Sequence, residues 1–306
     1  MPTIGSLADG TRLTVNMFTK NPLFAQKLML SMLDQQFIVD EILRPAGSAP
    51  SGAVVYHEST SLFAENDPDV VAEFAEIPAT LGSEGTPKVA RAVRRALSLK
   101  ISQEMLDEDN IDRVNKQMQQ IRNSTIRAWE DTFLSLFRTN SAVPTMAATT
   151  GAWATATNVR KDLAEAKFLV RNADADTSNG TGQNKFGFDP DTIIISNRIA
   201  ADLEQNDDMW KLVLSSPLAS ENPAYNGSLP RTLAGLRIVR SWRMPDTEAI
   251  ILQSKVVGGI ADSRPLRVTP MYEDKPRETW RSDVSRKSAM FLDEPKAALR
   301  ITGLTT

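Results

Sequence analysis

The sequence has no cysteine, which excludes disulfide bridges, thiolate nucleophiles and cysteine-ligated metals together. Its one histidine is His57, so a multi-histidine metal site is impossible and a Ser-His-Asp triad would have to use that residue. No nucleophile-elbow pattern accompanies it, and a surface or cross-strand role is expected instead. There is no run of eighteen apolar residues, and the opening MPTIGSLADGTRLTVN lacks the basic-then-apolar order of a secretory signal. Neither membrane insertion nor export is expected. A Gly-x-x-x-x-Gly-Lys-Ser/Thr phosphate loop is also missing. The nearest Gly-rich stretch, Asn179 to Gly187, follows no hydrophobic strand and reads as a flexible loop.

Positive charge is missing locally. From Pro45 to Pro87 there is no Lys or Arg, while Glu58, Glu65, Asp67, Asp69, Glu73, Glu76 and Glu84 all fall within those residues. The sign then reverses: Lys88, Arg91, Arg94, Arg95 and Lys100 are interleaved with Val89, Val93, Leu97, Leu99 and Ile101, a basic strand-like stretch. Ala53–Tyr56 and Phe74–Ile77 are β-prone and flank the acidic tip, so two strands joined as a long hairpin are expected. A long hairpin carries its tip far from its base, where only a neighbouring molecule could meet it. Glu65, Asp67, Asp69 and Glu73 are therefore the candidate inter-subunit acids, with Arg91, Arg94 and Arg95 as their candidate partners.

The 306 residues, 41% of them apolar, suffice for one large or two modest domains with a sizeable core. A net charge of −3 is not the bulk signature of a protein that grips nucleic acid, so any DNA contact should be local and non-specific. The first 44 residues read as an arm with local helix at Pro22–Leu33 and Phe37–Leu43, and the Pro/Gly cluster from Pro45 to Gly52 marks a change of unit. The clearest element follows. Ile111, Val114, Met118, Ile121, Thr125, Ala128, Thr132 and Leu136 recur by threes and fours, which predicts one helix from Asn110 to Arg138, roughly 43 Å long, with Asp109 or Asn110 as N-cap. Asp107-Glu108-Asp109 is explained by capping and the helix dipole without a metal or acid-base site, and Met118, Trp129 and Phe133 read as packing residues.

A helix at Val159–Asn172, an exposed loop at Asn172–Gly187, a buried strand at Thr192–Ile195 and a helix at Arg198–Leu214 come next. Strands are expected at Leu236–Val239 and Ala249–Leu252, which makes the middle region mixed α and β. Gly258-Gly259 reads as a strand bulge or tight turn. The end, Arg277 to Thr302, is extended with Trp280, Val284, Met290 and Leu292 on one face, and Pro295 interrupts it.

This order of parts resembles the tailed-phage major capsid family with the Hong Kong 97-type fold. The stretch Leu99-Lys-Ile-Ser-Gln-Glu-Met-Leu-Asp-Glu-Asp109 looks like the approach to that family's spine helix. Leu233-Ala-Gly-Leu-Arg-Ile-Val239 with Met244-Pro-Asp246 is similar to its axial-domain pattern, and Trp280–Arg286 with Pro295–Gly303 to its closing strands. The resemblance implies an α+β fold: N-terminal arm 1–51, extended loop 52–90, peripheral domain with spine helix 91–145, axial domain 146–265 and closing peripheral strands 266–306.

It further implies a non-enzymatic protein without cofactor or metal, assembled in the host cytoplasm into pentamers and hexamers of an icosahedral virion head around double-stranded DNA. The implied partners are itself, a portal protein, a separate scaffolding protein and a cement protein. Some members carry a cleaved N-terminal scaffolding segment; with the arm at Met1, cleavage is not expected. Members that crosslink covalently use a loop lysine, and since Pro45–Pro87 has none, a non-covalent shell is expected. The same fold would also serve an encapsulin-like compartment. A soluble enzyme using carboxylates alone would instead require a small oligomer with a deep acidic pocket.

Overall fold

A computed structural model describes residues 21–33, 37–58, 70, 71, 77, 79, 85–109, 111–174, 185–206 and 231–305. In chain order these form α1 (Pro22–Leu33), α2 (Ile38–Ile42), β1 (Arg44–Ser48), β2 (Ala53–His57), β3 (Pro87–Arg91), β4 (Val93–Ser102), α3 (Gln103–Asp107), α4 (Ile111–Thr139), β5 (Thr145–Ala147), α5 (Val159–Arg171) and β6 (Thr192–Ile195). They continue as α6 (Asn197–Gln205), β7 (Thr232–Leu233), β8 (Leu236–Arg240), β9 (Glu248–Leu252), β10 (Gly259–Val268), β11 (Tyr272–Asp274), β12 (Thr279–Phe291) and β13 (Ala298–Thr302).

The 29-residue α4 is the expected long helix. Asp112 in its first turn and Arg138 in its last both complement the helix dipole. Ser102 caps the short α3 before it by accepting from the Met105 amide at 3.3 Å. Asp109 precedes α4 in a left-handed conformation (φ 49), and Asn110 lies outside the described residues. The apolar stripe begins as expected at Val114 and Met118, but its second half runs through Thr125, Trp129, Phe133 and Phe137 rather than Ala128, Thr132 and Leu136. A helix closes a turn in about 3.6 residues, so a strict alternation of threes and fours drifts around the cylinder, and here α4 buries the face that meets two layers. Phe133 and Phe137 meet edge to face at 5.1 Å.

Two sheets hold the core. In the five-stranded sheet β12 is central: β4 pairs antiparallel along one edge, from Thr279 opposite Ser102 to Ser288 opposite Val93. Its other edge takes β10 and β11, both antiparallel. β1 adds parallel to β10. The six-stranded sheet has the order β5-β13-β9-β6-β8-β7, with parallel pairs β5/β13 and β6/β8. Ile193, Ile194 and Ile195 beside Ala249, Ile250, Ile251 and Leu252 make continuous apolar strands because both faces are covered. α5 covers part of this sheet with Leu163, Ala166 and Val170.

Several expectations change. From residue 22 the N-terminal stretch is core rather than arm, since Ala25, Met29, Leu33, Ile42 and Leu43 are fully buried and Arg122 of α4 donates from Nε to the Met32 carbonyl at 3.0 Å. The Pro/Gly cluster is not a break. Arg44–Ser48 is an edge strand, the position that tolerates a proline. Among the described residues β2 pairs with the basic strand β3; most of Phe74–Ile77, the expected partner, lies outside the described residues. α6 stops at Gln205, short of Leu214: Asn206 is extended and its amide donates to the Trp153 and Ala156 carbonyls at 2.8 and 2.9 Å.

Gly259 opens β10, and both glycines of the pair serve close approach. A Cβ on Gly258 would lie 2.2 Å from the Phe291 carbonyl oxygen, and one on Gly259 would lie 2.8 Å from the Phe291 ring. Asp162 of α5 organises the 149–153 segment. Its carboxylate accepts from the Thr149 amide at 3.0 Å and hydroxyl at 2.6 Å, from the Thr150 amide at 3.2 Å and hydroxyl, and from Trp153 Nε1 at 3.1 Å.

Candidate assembly surface

β2 and β3 form a two-stranded ladder in which Val55 faces Val89 and His57 faces Pro87. The inner face anchors the hairpin: Tyr56 stacks on Phe291 of β12 with ring centroids 4.9 Å apart. The outer face leaves Val55 and Val89 exposed. His57 has the cross-strand role expected of it, with Nδ1 donating to the Gly85 carbonyl at 2.8 Å. Lys88 pairs with Glu58 at the point where the acidic segment begins.

The basic stretch continues through β4, and its pairing with β12 sets like charges opposite one another. Arg94 faces Lys287, Arg95 faces Arg286, and Lys100 faces Arg281. Such pairs destabilise a sheet unless counter-charges intervene. Two β12 members of these pairs have them. Arg286 is 7% exposed and is held by Asp40 (2.9 and 2.8 Å) and Asp262 (both 3.1 Å). Burial works against its charge, but the hydrogen bonds to the two carboxylates outweigh it and hold its pKa above the ordinary guanidinium value. This cluster pins α2 to β10 and β12. Arg281 sits 3.5 Å from Asp274. Arg94 and Lys287 have no ion pair among the described residues.

The three basic candidates separate. Arg91 is exposed at the base of the hairpin opposite Ala53, and Arg94 is exposed on β4. Arg95 turns inward: it bonds to Thr132 of α4 and its guanidinium stands 5.9 Å from the Trp129 ring, whose other close cation, Arg286, is at 5.4 Å. The acidic candidates Glu65, Asp67, Asp69 and Glu73 lie outside the described residues.

Between β4, β12 and α4 lies a cleft of about 480 Å³ lined by Arg94, Arg95, Arg127 and Arg286 together with Ser124 and Thr125, and by no acidic side chain. Arg127 and Arg286 escaped the sequence reading. Arg286 carried a signal, because it occupies the same strand face as Trp280, Val284 and Met290, where an arginine requires buried partners. Arg127 carried none.

A second link ties α4 to the six-stranded sheet. Glu130, buried, accepts from the Ser241 hydroxyl at 2.9 Å, and Asp131 takes both ends of the Arg243 guanidinium at 2.6 and 3.2 Å. Burial raises the Glu130 pKa, and the Ser241 bond only partly offsets it. Among the described residues no group of three side chains is placed to hold a metal, and no helix is long and apolar enough to cross a membrane.

A long helix crossing two sheets, with a hairpin projecting from the sheet end, is the Hong Kong 97-type capsid fold. The chain is similar to the capsid protein of cyanophage P-SCSP1u (TM-score 0.59, 11% identity, covering 99% of this chain and 92% of that one). It is also similar to that of a virus-like particle from Pyrococcus furiosus (0.58, 10%, 91% and 98%) and to the SrpI encapsulin of Synechococcus elongatus (0.50, 12%, 100% and 96%). No curated protein matches the sequence.

The family model described as phage capsid protein matches residues 85–301, and the chain belongs to that family. It is a major capsid protein of the tailed-phage type, with a structural role in the virion shell, where it associates with copies of itself.

Proposed function

We propose that this chain assembles in the host cytoplasm as pentamers and hexamers of an icosahedral head around double-stranded DNA, without enzymatic activity or cofactor. The supporting observation is the family match, which begins beside β3 and runs into β13, so that it takes in the basic strands, the long helix and every strand of the two large sheets except β1. In this reading α4 with the five-stranded sheet is the peripheral domain and the six-stranded sheet the axial domain. The β2/β3 hairpin is the base of the extended loop.

Shell closure then rests on many modest, individually reversible contacts repeated under symmetry. Segment 45–87 offers no lysine for a crosslink, so the contacts are non-covalent. Portal, scaffolding and cement proteins would be separate chains, and DNA contact non-specific. The experiment is electron microscopy of the purified recombinant protein: closed particles or ring-shaped capsomers are expected, and monodisperse monomers at high concentration would overturn the reading. The encapsulin likeness supports a second reading, a cargo compartment, for which an enclosed enzyme instead of DNA and portal is the distinguishing result.

A further inference from the structure

A second cavity, of about 390 Å³, lies where α2, α4 and the turn after β8 meet, and its wall is Ile38, Arg122, Asn123, Ile126, Glu130 and Trp242. That volume falls within the roughly 300–1,000 Å³ of small-molecule sites. Two features of the wall are left unused by the fold. Glu130 is 3% exposed, and among the described residues its carboxylate accepts one hydrogen bond, from Ser241 to Oε2 at 2.9 Å, so that Oε1 accepts none. Burial raises the pKa of this carboxyl, as it does wherever the lost hydration of a charge is incompletely replaced. Trp242 is 52% exposed, an indole on the cavity wall instead of in the core. The neighbouring cations are engaged elsewhere: Arg243 is held at both ends by Asp131 and lies 5.8 Å from the Trp242 ring, and Arg122 donates from Nε to the Met32 carbonyl. Glu130 forms no ion pair among the described residues.

We propose that this cavity binds a primary alkylammonium ion, whose ammonium donates to Glu130 Oε1 and whose methylene chain lies on Ile38, Ile126 and the Trp242 indole. The lining selects that chemistry. A buried carboxylate gains most from a cation that pairs and hydrogen-bonds with it, an indole adds attraction for an ammonium, and the two isoleucines favour methylenes over water. Arg122 and Asn123 share the wall, and the arginine's charge confines the ammonium to the Glu130 end. A bare magnesium or calcium ion fits poorly, because it takes six or more oxygen ligands and among the described residues no group of three side chains is placed to hold a metal. A cation bound here would also steady the link between α4 and the six-stranded sheet, since a ligand that binds only the folded state raises its stability.

The test is titration of the full-length protein with putrescine at pH 8 and fixed ionic strength, followed by calorimetry and by tryptophan fluorescence. Saturable binding at one site per chain is expected, with none for 1,4-butanediol, the uncharged analogue. The protein has five tryptophans, so Trp242→Leu should abolish the fluorescence response and weaken binding about threefold. Glu130→Gln keeps an acceptor for Ser241 and should fold, yet weaken binding at least about tenfold. Affinity should fall as pH drops through the raised pKa of Glu130, because the protonated carboxyl no longer pairs with a cation. The other charged groups around it are Arg122, Asp131 and Arg243, and Asp131→Asn should keep that pH dependence if Glu130 is its source. Unchanged affinity in Glu130→Gln would overturn the proposal, and so would a pH dependence that vanishes with Asp131→Asn. A response that never saturates, or that potassium chloride reproduces at equal ionic strength, would overturn it too, the amine then being an adventitious ion only.

Discussion

In the six-stranded sheet charge is rare and answered within the subunit: Glu248 of β9 meets Arg300 of β13 at 3.1 Å and Arg138 of α4 at 3.4 Å, and the strands around it are fully buried isoleucine, leucine and alanine. In the five-stranded sheet β4 and β12 set arginine and lysine opposite one another, and Val93 and Leu97 are exposed among them. The first arrangement is what a sheet needs in order to fold. The second is tolerable only where something outside the subunit takes up the charge and the apolar surface. The comparison separates residues that stabilise the subunit from residues that stabilise the shell, and mutation can test it from both sides.

The largest effect is expected on the six-stranded side. Asp162→Ala removes the acceptor for three N–H donors and two hydroxyls around Thr149, Thr150 and Trp153, and should cost about 4 kcal/mol in chemical denaturation, with Asp162→Asn costing about half. Burial pushes this carboxyl's pKa up, but the hydrogen bonds from the Thr149, Thr150 and Trp153 side chains and the Thr149 amide outweigh burial and leave it lowered. A lowered folded pKa means stability that is fully present above the unfolded value of about 3.8 and lost as pH falls through the folded value. The wild-type protein should therefore show an acid-destabilisation limb below that pH which the alanine variant lacks.

Arg286→Met should cost about 3 kcal/mol, less than a wholly buried pair because Asp40 and Asp262 remain partly exposed. The loss should come with release of α2, read as faster amide exchange at Val39 to Leu43. If stability is unchanged, the cluster does not anchor the N-terminal segment. At the junction of the two regions the sign reverses. Glu130 has a raised pKa, so the stability tied to its proton is present below the unfolded value of about 4.5 and is lost as pH rises through the folded one. Glu130→Gln should then stabilise the subunit at neutral pH, keep an acceptor for Ser241, and flatten the pH dependence above 4.5. Equal stability of the two proteins at pH 5 and pH 8 would rule this out.

Periodicity made the elements legible: the long helix, β2, β6, β8 and β9 stand close to where spacing and β-propensity put them. What the sequence could not show were partnerships across long separations. Nothing near Arg286 in sequence points to Asp40, 246 residues away, and the opposition of Arg94 to Lys287 exists only once β4 is laid in register on β12. Burial of α1 and α2 was equally hidden, because a helix of apolar residues looks alike whether it reaches out or packs home. The basic half of the candidate surface was recognisable as a run of charge, but its division into exposed Arg91 and Arg94 and inward Arg95 was decided by the pleat and by α4.

The smallest stability change is the most discriminating. Lys287→Glu converts the Arg94 pair from like to opposite charge, and a cross-strand ion pair in place of a repulsion should stabilise the isolated subunit by about 0.5 kcal/mol. If that surface exists for the subunit alone, assembly should be unaffected or improved. If it exists to receive carboxylates from a neighbour, the same substitution occupies Arg94 internally and adds a negative charge where negative charge must dock, so shells should form at higher protein concentration or not at all. Added salt should weaken assembly of the wild type more than that of the variant, because screening acts on the exposed contact that the variant has already lost. An unfolding midpoint and an assembly threshold concentration that both rise for this one substitution would assign β4 and β12 to the shell rather than to the fold, and a higher midpoint with an unchanged or lower threshold would return them to the fold.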